Sequence, residues 1–187
     1  DVIYPPVNVQ YYQPDHRVDR EDFYLVVSAL VPYKRVDLAV KAAKKIKKRL
    51  VVIGDGPQRR SLEDMAGEGT TFLGWQTDET LRDHYRRAKA LLFPGEEDFG
   101  IVPVEMQACG GPVIAYGKGG ALETVIAGET GLFFQELKVE GLVEAVGRFE
   151  ASAWDPDAPR KNAVRFSGER FIMEMKSMIQ RKKMRTD

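Results

Sequence analysis

The sequence predicts an α/β protein with a Rossmann-like, doubly wound parallel sheet of about six strands and helices on both faces. Short apolar runs rich in β-branched and aromatic residues alternate along the 187-residue chain with segments of helical periodicity. These runs do not alternate polar with apolar residues, a pattern typical of parallel strands that helices cover on both faces. A chain of this length suits one domain with a substantial core, or one domain and a tail.

Six runs have the composition of buried strands. The first of them, residues 23–29, consists of Phe-Tyr-Leu-Val-Val-Ser-Ala. The complete set is residues 23–29, 50–53, 70–73, 90–93, 112–116 and 131–134.

Helices are predicted between the strands. After residue 34, Val36, Ala39, Val40 and Ala43 recur at helical spacing while lysines occupy the opposite face. Pro57 and Pro103 suit the first turn of a helix, where a missing N–H costs nothing. The other predicted helical segments are residues 57–65, 78–87, 104–108 and 121–127.

Three segments are expected along the chain. Residues 1–22 contain several prolines and are interpreted as a linker, with one short extended piece at residues 7–9. Residues 23–137 would form the Rossmann-like domain, and residues 138–187 would form C-terminal helices that pack on it. Because the chain begins with Asp1 rather than Met, we expect a fragment of a longer protein.

Composition excludes several classes of function. The 28 basic and 28 acidic residues cancel, so no overall field favours nucleic acid or an anionic membrane. The single cysteine, Cys109, excludes an internal disulfide and a multi-cysteine metal site, and we interpret it as a packed small residue. No apolar run approaches the roughly 18 residues of a membrane-spanning helix, and no signal peptide is visible.

Candidate binding residues lie in the loops that follow the strands. In a doubly wound sheet, ligands bind outside the carboxyl ends of the strands. This rule selects residues 30–35, 54–57, 74–78, 94–103 and 117–121.

The most informative of these loops is the acidic loop, residues 94–103, which joins a buried strand to a helix. Amides at a helix N-terminus bind anions, and the carboxylates of Glu97 and Glu105 can accept hydrogen bonds from sugar hydroxyls. Lys34 and Arg35, at another loop-to-helix junction, would favour phosphate. A nucleoside diphosphate sugar fits this combination, although three consecutive acids, residues 96–98, would repel a diphosphate if all of them faced it.

Several motifs together resemble one known family. Residues 97–105 resemble the E-x7-E motif of retaining glycosyltransferases of the GT4 family (glycosyl transferases group 1), and residues 30–34 resemble its G-R-L-x-x-x-K phosphate loop. The stretches 52–57, 72–74, 119–123 and 128–132 follow in the order and spacing of that family. The resemblance covers nearly the whole chain.

The resemblance implies the C-terminal, donor-binding half of a GT-B enzyme, and it assigns roles to residues. Glu97 would be the catalytic glutamate that contacts the donor sugar hydroxyls, and Glu105 would bind the ribose. The sugar and diphosphate would be bound by Lys34, Arg35, Phe99, Gly100, Ile101 and Val102. The nucleotide would lie near Gly54, Gly56, Pro57, Trp75, Gln76, Gly119 and Gly120.

The implied activity is transfer of a hexose from a nucleoside diphosphate sugar with retention of configuration. Mannose from a GDP donor is the first expectation, by resemblance to bacterial transferases of polysaccharide assembly, and UDP donors stay open. No cofactor and no metal ion are expected. An absent N-terminal domain would bind the acceptor, so this fragment is expected to turn over poorly. A cytoplasmic protein is expected, and the resemblance leaves open an association of the full-length enzyme with the inner face of a membrane.

Two departures from the family keep alternatives open. The phosphate-loop arginine of the family falls at Ser28-Ala29, so one cation is absent unless Arg35 substitutes for it. This departure favours a non-catalytic module that binds a nucleotide or a nucleotide sugar. Asp98 replaces a frequent glycine and adds negative charge beside Glu97. A Rossmann-type oxidoreductase is disfavoured because the sequence after residue 53 lacks the third glycine of a dinucleotide fingerprint.

Overall fold

A computed structural model describes residues 2–183, which contain one six-stranded sheet. The strands are β1 (Phe23–Val27), β2 (Arg49–Ile53), β3 (Thr70–Gly74), β4 (Ala90–Phe93), β5 (Val113–Tyr116) and β6 (Gly131–Phe134). Their order is β3-β2-β1-β4-β5-β6, and every neighbouring pair is parallel. The predicted doubly wound parallel sheet is therefore confirmed.

Eight α-helices lie within residues 2–183 and connect or follow the strands. They are α1 (Val36–Ile46), α2 (Arg59–Met65), α3 (Asp78–Arg87), α4 (Ile101–Ala108), α5 (Ala121–Thr124), α6 (Val139–Glu150), α7 (Ala158–Ala163) and α8 (Gly168–Lys183). Short 3-10 helices occupy Pro32–Lys34 and Val164–Phe166.

Three helix boundaries differ from the predictions. Helix α2 begins at Arg59 rather than at residue 57, because the Gln58 amide donates to the Leu30 carbonyl and Gln58 caps the helix, so Pro57 lies before the first turn. Helix α4 begins at Ile101 rather than at residue 104, because Gly100 takes a left-handed conformation (φ 83°) and the helix starts directly after it. Pro103 then lies in the first turn, where its missing N–H costs no hydrogen bond. Helix α5 ends at Thr124 instead of residue 127, because Val125 is extended and the Ile126 amide donates to the Thr130 hydroxyl.

The sheet separates two hydrophobic layers. Side chains of β1 alternate between them, with Tyr24 and Val26 in one layer and Phe23 and Leu25 in the other. Buried residues of α1 and α6 fill the first layer, and those of α3, α4 and α7 fill the second. Cys109 is buried in the second layer, where burial raises the pKa of its thiol to about 12.

The N-terminal segment, predicted as a linker, packs into the second layer. Val7, Val9 and Tyr12 are buried there, and Val7 forms a parallel bridge with Ser167. The guanidinium of Arg160 in α7 donates to the carbonyls of Val9 and Tyr12. The segment is thus attached to the C-terminal helices by backbone hydrogen bonds as well as by apolar contact.

The order of the strands reverses between β1 and β4. Connections from β1 proceed to one edge of the sheet and those from β4 to the other, which leaves a crevice at their carboxyl ends. The loop that contains Lys34 follows β1, and the acidic loop follows β4. The topology therefore places the two most informative loops of the sequence side by side.

None of the helices within residues 2–183 combines the length and the apolar character that crossing a membrane requires.

A charged cluster lies at the opposite end of the same strands. The Glu150 carboxylate accepts hydrogen bonds from Tyr24 (2.9 Å) and Lys89 (3.0 Å) and pairs with Lys48 (2.8 Å). Burial raises the pKa of Glu150, but the hydrogen bonds from Lys48, Lys89 and Tyr24 outweigh it and lower the pKa to about 2. The ionised carboxylate thus stabilises the folded protein.

We expect Glu150→Gln to lower the free energy of unfolding by about 1 kcal/mol at pH 7, since the group is only partly buried. The folded-state pKa lies below the unfolded value, so this contribution is present above pH of about 4.5 and is lost as the pH falls toward 2. Urea unfolding at pH 7, 4 and 2.5 measures it. Glu144→Gln, on the exposed face of α6, is the control; equal losses in both variants would contradict the assignment.

Candidate functional site

The acidic loop and the Lys34 loop enclose a cavity of about 470 Å³ at the carboxyl ends of β1 and β4. Six of the residues predicted to contact sugar and diphosphate line it: Lys34, Glu97, Phe99, Gly100, Ile101 and Val102. This volume lies within the range that is usual for small-molecule binding sites. The fold therefore brings Lys34 together with residues 97 and 99–102 of the E-x7-E stretch, whereas Glu105, the second glutamate of that stretch, does not line the cavity.

An ion pair joins the two loops inside the cavity. The Lys34 Nζ lies 2.6 Å from Glu97 Oε1, and the exposed fractions of the two side chains are 15% and 27%. The ammonium group compensates the charge of Glu97, so this carboxylate need not repel a diphosphate. Glu96 and Asp98 also line the cavity, but both residues are largely exposed, and solvent screens their charges. The ion pair therefore reduces, for Glu97, the repulsion of a diphosphate that the three consecutive acids pose in the sequence.

Arg35 is the one predicted diphosphate-binding residue that does not line this cavity. It adopts a left-handed conformation (φ 52°) between the 3-10 helix and α1, and its Nε lies 3.0 Å from the Asp37 carboxylate. Its charge is directed along α1 because that carboxylate binds it. The geometry does not support Arg35 as a replacement for the arginine missing at Ala29.

The N-terminus of α4 opens onto the cavity. No side chain caps this helix, and its first residues, Ile101 and Val102, line the cavity. The first amides of a helix lack intrahelical acceptors and carry partial positive charge. With Lys34 across the cavity, these amides form a site suited to an anion.

Glu105 occupies a different environment from Glu97. It lies one turn further along α4, and the Tyr85 hydroxyl of α3 donates to its Oε2 at 2.9 Å. Burial raises the pKa of Glu105, and the Tyr85 hydrogen bond opposes that rise. The two glutamates of the motif therefore differ physically, since one is paired with a cation and the other with a neutral hydroxyl.

The Gly119-Gly120 turn supports the acidic loop from behind. The Gly120 amide donates to the Glu97 carbonyl at 2.7 Å. A Cβ at position 120 would lie 2.3 Å from Phe99 Cα, and one at position 119 would lie 2.4 Å from the Glu97 carbonyl oxygen. Glycine is required at both positions because the two backbones are in direct contact.

The other residues predicted near the nucleotide lie outside this cavity. Gly54 and Gly56 have positive φ, and a Cβ on them would overlap the backbone of Ser28 and Leu30. Their role in the structure is close packing of the loops after β1 and β2. Trp75 follows β3 and is 77% exposed. The side-chain amide of Gln76 donates to the Leu73 carbonyl.

Sequence reasoning missed a buried polar network behind the site. Gln107 donates to the carbonyls of Pro103 and Thr124, and Asn162 donates to Gln107 Oε1 and to the Thr124 carbonyl. The Thr124 hydroxyl donates to the Gly120 carbonyl. The network joins α4, the Gly119-Gly120 turn and α7. The signal that could have indicated this network is a glutamine, residue 107, between Met106 and Ala108 on an apolar helix face.

A second missed feature is an aromatic cluster beneath the acidic loop. Tyr4 stacks on Phe99 with ring centroids 5.8 Å apart, and both rings meet the edge or face of Phe166. The Glu123 carboxylate beside the Tyr4 hydroxyl raises the pKa of that tyrosine. The N-terminal segment thus contacts the acidic loop directly.

A larger cavity of about 660 Å³ lies between the N-terminal segment and α7 and α8. Its cation, Arg160, already donates to the carbonyls of Val9, Tyr12 and Ala108. The charge of Arg160 therefore stabilises the packing of the N-terminal segment against α7. Across the described part of the chain, no group of three or more His, Cys, Asp and Glu side chains is arranged to hold a metal ion.

The doubly wound parallel sheet, with its crevice between β1 and β4, places this protein in the α/β class, and sequence comparison supplies the family. The chain belongs to the glycosyl transferases group 1, whose model matches residues 11–166. The expected membership in this family is confirmed.

Curated relatives are longer than this chain. The D-inositol 3-phosphate glycosyltransferase of Mycobacteroides abscessus is 33% identical over 168 residues, which cover 79% of the chain and 38% of that protein. The GDP-mannose-dependent alpha-(1-6)-phosphatidylinositol monomannoside mannosyltransferase of Mycolicibacterium smegmatis is 31% identical, with 79% and 42% covered. An uncharacterized glycosyltransferase of Methanocaldococcus jannaschii is 30% identical, with 96% and 53% covered. The chain thus spans 38 to 53% of the length of these relatives.

Solved structures of glycosyltransferases share the fold. The lipopolysaccharide outer core galactosyltransferase WaaB matches with a TM-score of 0.83 and 20% identity, covering 97% of this chain and 56% of that one. Anabaena HepE in complex with UDP and glucose matches with a TM-score of 0.83 and 19% identity, covering 96% and 56%. Sucrose-phosphate synthase from Thermosynechococcus elongatus matches with a TM-score of 0.82 and 26% identity, covering 100% and 53%.

We expect Gly120→Ala to lower the free energy of unfolding by about 1–3 kcal/mol, because its Cβ has no room against the Phe99 backbone. Chemical denaturation measures the loss. Gly147→Ala is the matched control: its Cβ meets nothing within 4 Å in the exposed interior of α6, so it should stabilise by about 0.5–1 kcal/mol. Similar effects of the two substitutions would show that the contact with Phe99 does not constrain the loop.

Proposed function

We propose that this chain is the donor-binding half of a retaining glycosyltransferase that transfers a hexose from a nucleoside diphosphate sugar. The observation that carries the proposal is the cavity in which Lys34, Glu97 and the N-terminus of α4 meet. A diphosphate would face Lys34 and the amides of Ile101 and Val102. The hexose hydroxyls would face Glu97, and the ribose would face Glu105.

In the proposed reaction, the bond between the sugar C1 and the diphosphate oxygen breaks, and a bond from C1 to the acceptor oxygen forms on the same face. Negative charge develops on the leaving diphosphate, where Lys34 and the α4 amides would stabilise it without reorganising. The leaving phosphate oxygen would take the proton of the acceptor hydroxyl. Glu97 would orient the hexose during this exchange.

GDP-mannose is the donor that we propose first. A relative that is 31% identical is named as a GDP-mannose-dependent mannosyltransferase, which supports mannose. The neighbour HepE binds UDP and glucose, so a UDP-sugar is the second candidate. The acceptor would be bound by a further domain, a proposal that the greater length of the relatives supports, and contact with a membrane would also depend on that part.

A non-catalytic nucleotide-binding module is the alternative function. The alanine at position 29, together with Arg35 paired to Asp37, favours it because the diphosphate would then have one side-chain cation. Transfer of hexose by the full-length protein, lost in Glu97→Ala with the fold intact, would exclude the alternative. Donor binding with no transfer by a full-length protein would favour it.

We expect at least one of GDP, UDP and ADP to bind this chain in calorimetric titrations, with GDP the tightest. Because the positive charge comes from Lys34 and backbone amides, binding should persist in excess EDTA. If none of the three nucleotides binds measurably, the assignment of the site is overturned.

The specific check on this site is Lys34→Ala, which should weaken nucleotide binding by about 1.5–3 kcal/mol, or roughly 10- to 100-fold. Lys41→Ala is the matched control, since Lys41 pairs with Asp37 on the exposed side of α1. Equal affinities of the two variants would mean that the α4 amides alone bind the diphosphate.

Substitutions of Glu97 and Glu105 should have different effects on the binding of nucleoside diphosphate and of nucleotide sugar. Glu105→Gln should weaken nucleoside diphosphate and nucleotide sugar alike, because the ribose is common to both. Glu97→Gln should spare or improve nucleoside diphosphate binding, because it releases Lys34 from the ion pair, and should remove the extra affinity that the hexose provides. Titration of each variant with both ligands measures this, and the reverse pattern would show that the two roles are exchanged.

A further inference from the structure

Tyr85 places a hydroxyl deep in the second hydrophobic layer. It is the buried residue of α3, with no exposed surface, and its ring packs edge-on against Tyr12. A phenylalanine would fill the same space without the cost of burying a hydroxyl. The hydroxyl instead reaches Glu105 Oε2 at 2.9 Å. The position of this oxygen is explained by the carboxylate that it contacts.

Among the described residues, Tyr85 is the one that donates a hydrogen bond to the Glu105 side chain. The other titratable groups that face Glu105 are Asp78 of α3, Tyr12 of the N-terminal segment and Cys109 of α4. All of these favour the neutral carboxyl or leave it unchanged, and burial raises its pKa as well. The Tyr85 hydroxyl opposes that rise, because a donated hydrogen bond stabilises the ionised form.

Among residues 2–183, no hydrogen bond engages the second carboxylate oxygen of Glu105, Oε1. A carboxylate accepts about four hydrogen bonds through two oxygens. With Oε2 bound to Tyr85, the carboxyl group cannot rotate freely, and Oε1 and the remaining lone pair of Oε2 stay available to neighbouring hydroxyls. The vicinal 2′ and 3′ hydroxyls of a ribose match a fixed carboxylate of this kind.

We propose that Tyr85 is a positioning residue, which orients the Glu105 carboxylate toward the ribose hydroxyls of the nucleotide. The inference rests on the proposed function, since it requires a ribonucleotide at this site. Tyr85 does not touch the ligand, and its contribution passes through the hydrogen bond to Glu105. The loss of its hydroxyl should therefore matter only for ligands that carry the ribose hydroxyls.

The test compares Tyr85→Phe with the unaltered chain, using GDP, UDP and their 2′,3′-dideoxy analogues in calorimetric titrations. Tyr85→Phe should weaken binding of the ribonucleotide about 5- to 30-fold. Binding of the dideoxy analogue should be the same in both proteins. In addition, as the pH is lowered, the affinity of Tyr85→Phe for the ribonucleotide should begin to fall at a higher pH than that of the unaltered chain. The reason is that Glu105 protonates more readily without its hydrogen-bond donor.

Tyr24→Phe is the matched control. Tyr24 is equally buried and donates to a carboxylate, Glu150, at the same 2.9 Å, but at the far end of the sheet. It should reproduce any loss of stability while it leaves the affinity for the ribonucleotide unchanged. A comparable loss of affinity in Tyr24→Phe would assign the effect of Tyr85→Phe to general destabilisation.

Different failures are distinguishable. If the unaltered chain binds none of the nucleotides, the proposed function falls. If it binds and Tyr85→Phe binds equally well, or loses the dideoxy analogue to the same degree, the role of Tyr85 is overturned and the proposed function stands. If Tyr85→Phe does not fold, NMR of the unaltered chain with ¹³C-labelled tyrosine decides: the Tyr85 Cζ resonance should shift with the ribonucleotide only, and an equal shift with the dideoxy analogue overturns the inference.

Discussion

Direct contact between two stretches of backbone is the constraint on which the site depends. The acidic loop lies so close to the Gly119-Gly120 turn that no Cβ fits between them. Because the Gly120 amide binds the Glu97 carbonyl, the turn determines where the Glu97 side chain begins. The buried network of Gln107 then connects the same turn to α4. The backbone of the acidic loop and the N-terminus of α4 are therefore fixed relative to each other by direct backbone contact and by buried side-chain hydrogen bonds.

Electrostatic balance is achieved in two ways within one motif. Glu97, at the cavity, has its charge compensated by Lys34 at 2.6 Å. Glu105, further back, has a neutral hydroxyl as its partner and a raised pKa caused by burial. A carboxylate paired with a cation can lie near a diphosphate, whereas a carboxylate without one suits neutral hydroxyls. This difference supports distinct tasks for the two glutamates and links α3 to the part of the site that is proposed to bind the ribose.

Strands were predictable to within a few residues because their signal is local: a run such as residues 90–93 is apolar throughout and buried on both faces. The boundaries of α4 and α5 were less accurate, since Gly100 and Val125 determine them through backbone conformations that no periodicity records. The N-terminal segment looked like a linker because its prolines dominate the local pattern. Its burial depends on α7 and α8, more than a hundred residues away in the chain.

By itself, the sequence determined the doubly wound sheet, the family and the residues that could contact a nucleotide sugar, because composition, periodicity and motif spacing are properties of short stretches. Only the tertiary structure decided which of those residues meet. It brought Lys34 to Glu97 and turned Arg35 toward Asp37, although the two basic residues are adjacent. It also joined Tyr85 to Glu105 across two helices. Contacts of this kind depend on the packing of elements distant in the chain, and a linear pattern does not contain that information.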